Sequence, residues 1–96
     1  MSGNWKDTLT DNLCDAFLTL KTREEAYAFL EDVATISELK ALSQRFEVAR
    51  LLTMSRTYPQ IAQQTGASTA TISRVRKALD YGAGGYKLAL ERMPAE

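Results

Sequence analysis

With 96 residues and formal charges that cancel, twelve cations against twelve anions, the chain is one small domain with limited capacity to bury a core. It has no histidine and a single cysteine, Cys14, which excludes an internal disulfide and removes the usual ligands of a zinc site and the usual base of proton-transfer chemistry. No apolar run approaches the ~20 residues of a membrane span. The start (MSGNWKD) lacks the pattern of a signal peptide, and no nucleophile–base pair, phosphate-binding glycine loop or acidic metal cluster stands out. The expectation is a cytoplasmic protein that is not an enzyme and holds no metal.

In chain order every element reads as a helix, about six in all. Leu9, Leu13, Phe17 and Leu20 recur every three or four residues and form one apolar stripe, which Trp5 can extend. Cys14, near that stripe, reads as a small buried residue. Thr22 with Glu25 three residues on has the form of a capping box, opening a helix that turns Ala26, Phe29, Leu30 and Val33 inward. Ser37 can cap a longer helix whose stripe is Leu39, Leu42, Phe46, Ala49 and Leu52. Thr57 with Gln60 repeats the capping box, and Pro59 sits in a first turn, where a missing N–H loses no intrahelical partner. Ser68 can cap the next helix, whose carboxyl end carries Arg74, Arg76 and Lys77, suiting the helix dipole. The glycine-rich DYGAGG break at Asp80–Gly85 is followed by a short last helix over Tyr86–Met93, and Pro94 ends the order.

The stretch Tyr58–Leu79, YPQIAQQTGASTATISRVRKAL, has the outline of a helix-turn-helix. A small Ala62 lets the two helices cross closely. Gly66 can supply the positive φ that a residue with a β-carbon adopts only at a cost. Ile61, Ile72 and Val75 then face inward, leaving Thr69, Ala70, Ser73, Arg74 and Lys77 on the side where such a helix meets base edges and phosphates. Gln60 and Gln63 on the first helix can bond to phosphates. Tyr58 and Tyr81, flanking the motif, could touch phosphate, but each reads first as a packing tyrosine with a wet hydroxyl.

Neutrality hides a segregation of charge. Residues 1–39 carry three cations against eight anions, net −5; residues 40–79 carry seven against one, net +6; the tail is −1. The basic block coincides with the helix-turn-helix, which is the electrostatic footprint that phosphate binding requires. Trp5, Phe17, Tyr27 and Phe29 form a large apolar group on the first two helices. Two uses remain open for it: filling a six-helix core, or covering a partner in a symmetric dimer.

From Gly66 onward, GASTATISRVRKALDYGAGGY resembles the Trp-repressor family, in its YerC/YecD-type branch. The resemblance is supported upstream by ALSQRFEVARLL and covers roughly Leu39–Tyr86, with the first helices matching in length and pattern only. It implies an all-α, intertwined homodimer with residues 1–55 as dimerisation helices, 58–79 as the helix-turn-helix and 80–96 as glycine-rich turn and final helix. It also implies double-stranded DNA as partner, with Ser68, Thr69, Ala70 and Ser73 reaching the operator. Thr69 and Ser73 offer hydroxyls to base edges directly or through water, and Ala70 can meet a thymine methyl. Arg56, Arg74, Arg76 and Lys77 would supply phosphate attraction, with Gln60 beside them.

Within that resemblance Arg74 also matches an arginine that contacts a tryptophan corepressor. The second arginine of the family's pocket falls on Gln44 when the Leu51–Leu52 pair is aligned without a gap, and Arg45 lies one residue, ~100° of helix, away. Gln44, Arg45 and Arg74 are therefore the candidate effector residues, and the register does not carry tryptophan sensing across. No cofactor is expected from the residues themselves. The reading is a sequence-specific DNA-binding regulator, a repressor, acting as a dimer on a near-palindromic site. The alternatives are a helical interaction module, suggested by the acidic first third, or a DNA-targeting subunit of a recombinase complex that would need a catalytic partner chain.

Overall fold

The computed structural model describes residues 5–94. They form six helices with no strand among them: α1 (Thr8–Phe17), α2 (Arg23–Val33), α3 (Ile36–Thr53), α4 (Tyr58–Thr65), α5 (Thr69–Tyr81) and α6 (Gly85–Arg92). The all-α expectation holds. Contacts divide the chain into two compact units, Met1–Ile36 and Ser37–Glu96, so nearly all of α3 belongs with the helix-turn-helix.

The first unit is a pair of helices without a closed core. Asp7 starts α1 with a reciprocal capping box: its carboxylate accepts from the Thr10 N–H at 2.9 Å, while the Asp7 N–H donates to Thr10 Oγ1 at 2.8 Å. Thr22 caps α2 as expected, but Glu25 reaches back to the Lys21 N–H at 2.8 Å, one residue beyond the cap itself. Phe17 and Phe29 meet edge to face at 5.2 Å. No side chain of α1 or α2 is fully buried. Leu9, Leu13, Trp5, Tyr27 and Val33 stay exposed, Leu9 at 78% and Tyr27 at 70%. Two helices alone cannot cover both apolar stripes, so much of each stays exposed. For the same reason Cys14, expected buried, is exposed.

The second unit holds the core: Val48, Ala49, Leu51 and Leu52 from α3, Ile61 from α4, Ala67 from the turn, and Ile72, Val75 and Leu79 from α5. Tyr58, Ala62, Tyr86 and Leu90 pack against it, and the Tyr86 ring lies 6.3 Å from that of Phe46. The stripe expected on α3 shifts. Leu42 is exposed and Leu39 only half-buried, whereas Val48 and Leu51 are sealed in. All the buried residues of α3 lie in its carboxyl half. Ser37 is not the cap of α3, because α2 gives way to α3 across only Ala34 and Thr35, which places Ser37 inside the first turn.

α3 stops by a paired motif in which the Arg56 N–H bonds to the Leu51 carbonyl at 3.2 Å and the Ser55 N–H to the Leu52 carbonyl at 3.1 Å. Ser55 occupies the left-handed position at φ 62° that glycine usually fills. α5 runs two residues past Leu79, and nothing breaks it before Gly82. A β-carbon on Gly82 would lie 2.3 Å from the Ala78 carbonyl oxygen, so only glycine fits that exit. Arg74, Arg76 and Lys77 consequently occupy the middle of α5, and its last turn contains no basic residue.

Candidate nucleic-acid interface

The turn between α4 and α5 is built from local chemistry. Thr57 and Gln60 make the full capping box that opens α4, with Pro59 in its first turn. Gly66 closes α4 at φ 75°, and its N–H bonds to the Ala62 carbonyl at 2.8 Å. Ser68 then caps α5, accepting from the Thr71 N–H at 3.1 Å while its own hydroxyl donates to Thr71 Oγ1 at 3.1 Å. Replacing Ser68 with alanine is expected to destabilise the fold by ~1 kcal/mol, read as a shift of the denaturant midpoint at constant slope.

Burial of Ile72, Val75 and Leu79 turns the opposite arc of α5 outward, and Thr69, Ala70, Ser73, Arg74 and Lys77 are all exposed on it. Tyr81 extends this arc one turn beyond Lys77 and is 84% exposed. It is not a packing tyrosine, because the helix extends to it with the core on the other face. The arc offers hydroxyls at Thr69, Ser73 and Tyr81, a methyl at Ala70 and two cations. The first N–H groups of α5, at Thr69 and Ala70, have no intrahelical acceptor and sit at the positive end of the helix dipole. That suits an anionic ligand.

The cations of the basic block divide into two sets. Arg50 is held by Glu47 at 2.7 Å, and this hydrogen bond keeps the Glu47 carboxyl below its ordinary pKa. Arg76 pairs with Asp80 at 3.2 Å. It stands four residues after Ile72, ~40° from it around the helix, and so on the flank of α5 and away from the centre of the outer arc. Arg56, Arg74 and Lys77 have no ion-pair partner among the described residues and remain available for phosphate. Arg56 shares a shallow polar depression with Gln60, Gln63 and Gln64 beside α4. The Gln60 carbonyl oxygen is committed to the Thr57 N–H at 2.9 Å, leaving its NH₂ to donate outward.

The candidate effector residues are placed differently from one another. Arg45 is exposed on α3, Arg74 lies on the outer arc of α5, and Gln44 is half-buried with its Nε2 donating to the Thr65 carbonyl at 3.1 Å. The pattern of residues did not reveal this bond, because it joins positions 21 apart.

Packed helices with a glycine-turned pair presenting an exposed basic helix define a helix-turn-helix protein. Comparison with known proteins narrows this. A family model described as Trp repressor protein matches residues 8–94. The chain is 51% identical over 83 residues to the uncharacterized protein YerC of Bacillus subtilis (strain 168), covering 86% of this chain and 80% of that one. The crystal structure of a candidate Trp repressor from Staphylococcus aureus superposes with a TM-score of 0.90 at 46% identity, over 96% of this chain and 92% of the other. A TrpR-like protein from Eubacterium eligens ATCC 27750 gives 0.88 at 53% identity, over 95% and 96%. The chain belongs to the Trp repressor family. That family consists of DNA-binding regulators, not enzymes. No helix among the described residues is long and apolar enough to cross a membrane.

Proposed function

We propose that the protein is a homodimeric, sequence-specific transcriptional regulator, a repressor in the cytoplasm, that reads a near-palindromic operator with α5 in the major groove. The observation that carries the reading is the outer arc of α5, where Thr69, Ala70 and Ser73 are exposed beside the unpaired Arg74 and Lys77. Short hydroxyls and a methyl at that face suit base edges, and flanking cations suit phosphates. Exposure of the hydrophobic stripes on α1 and α2 supports a second copy as their cover, with recognition helices ~34 Å apart on one face of the duplex.

Selection of bound sequences from a random DNA pool at moderate salt, with mass measurement in solution, tests both parts. The expected result is an enriched motif with two-fold symmetry and the mass of a dimer. Within it, Thr69→Ala alters the preferred bases, and Lys77→Ala weakens all sequences alike. Recovery of no motif, or a monomeric mass, would remove the corresponding half of the proposal.

A further inference from the structure

Besides the core packing of Ala67, the turn that presents α5 accepts a side-chain hydrogen bond from outside the helix-turn-helix. Gln44 on α3 donates from Nε2 to the Thr65 carbonyl at 3.1 Å. Thr65 is the last residue of α4, where main-chain carbonyls lack an intrahelical donor. Other bonds of the turn are made within it: the Thr65 hydroxyl donates to the Ile61 carbonyl at 2.7 Å and accepts from the Ala67 N–H at 3.1 Å. Among the side-chain hydrogen bonds described, the Gln44 link alone joins distant parts of the chain; the others connect residues within four positions. Its amide nitrogen also stands 3.9 Å from where a β-carbon on Gly66 would project, filling the flank of the turn. Ser68 opens α5 only three residues after Thr65, so any rotation of the turn passes directly to Thr69, Ala70 and Ser73.

We infer that Gln44 is a positioning residue for DNA recognition: its amide latches α3 to the turn and holds α5 in the reading orientation from within the chain. The inference rests on the DNA reading proposed above. Because the donor is the chain's own, no small molecule has to bridge α3 and the turn before DNA binds. Methionine preserves the length and stem of glutamine but offers the carbonyl no donor. Lysine offers an ammonium of comparable reach.

The test uses full-length protein refolded from denaturant in ligand-free buffer. Its affinity is measured for the sequence that the wild type enriches and for random-sequence DNA at the same salt. Wild type is expected to discriminate without additive. Gln44→Met is expected to bind the enriched sequence about tenfold more weakly, the scale of one lost hydrogen bond, with random-sequence affinity unchanged and the melting temperature within ~5 °C. Gln44→Lys restores the ratio of specific to random binding. A Met variant as selective as wild type overturns the latch, as does a wild type that discriminates only once a small molecule is added. If the Met variant loses thermal stability, the Lys variant decides: restored selectivity supports the latch, and lost selectivity overturns it. A wild type that selects no sequence at all brings down the DNA-reading proposal first, and the latch with it.

Discussion

Reversing Arg74 and Lys77 together, Arg74→Glu with Lys77→Glu, is expected to weaken DNA binding by a factor on the order of 10²–10³ while leaving the helix content unchanged. Both side chains are exposed and without ion-pair partners among the described residues, so their loss removes no interaction that holds the fold. What changes is the outer arc of α5, where two attractions to phosphate become two repulsions. The neutral pair Arg74→Ala with Lys77→Ala separates the terms. It should lower the slope of log affinity against log salt by about 2, because two fewer counterions are released on binding. Arg76→Ala is the internal control: this guanidinium already has Asp80 at 3.2 Å and lies on the flank of the helix. Titration of labelled DNA across a salt series measures all three variants. If the double reversal bound as tightly as wild type, the outer arc would not face DNA.

Truncating Ile72 to alanine is expected to cost ~2–5 kcal/mol, the range for emptying a sealed core position. Ile72 is 0% exposed, and with Ile61, Val48 and Leu51 it is among the largest fully buried side chains of the second unit. Units of this size retain only ~5 kcal/mol of net stability, so one such cavity is enough to populate the unfolded state. The effect on DNA follows from the fold. The same helix that loses its inner anchor at Ile72 carries Ser73 and Arg74 on its outer side, so the variant fails to present them even where some helix survives. Denaturant unfolding followed by circular dichroism reads the loss as a lower midpoint. A shift of less than ~1 kcal/mol would show that α5 is not packed as described.

Much of the DNA-facing surface was legible from residue order. The capping boxes, the Gly66 turn and the two faces of α5 all follow from rules that act within about four residues. The glutamines differ in how far the sequence reveals their partners. Gln60 was recognisable as a cap because its partner lies three residues away, whereas Gln44 matched a family arginine only by alignment and its actual acceptor is 21 residues distant. The basic block was visible as a sum of charges. Which cations remain unpaired is visible only in part: Arg76 with Asp80 has the spacing of a helical ion pair, but Asp80 opens the glycine-rich stretch, and only the structure carries the helix on to Tyr81. Tyr81 lies in the same stretch: a helix ending at Leu79 leaves it free to fold back, whereas the helix that extends to it turns it outward.

By itself the sequence determined six helices, the caps at Thr22, Thr57 and Ser68, the positive-φ turn and the inward set Ile61, Ile72 and Val75, because helix periodicity and terminal hydrogen bonding are local properties of the backbone. Tertiary structure alone decided that α3 buries Val48 and Leu51 and leaves Leu42 exposed, that Cys14 is exposed, and that Gln44 serves the turn. A helix stripe specifies which face is apolar, but the length over which it is buried depends on where other helices cross it. Likewise an amide has no fixed partner until packing brings one within ~3 Å.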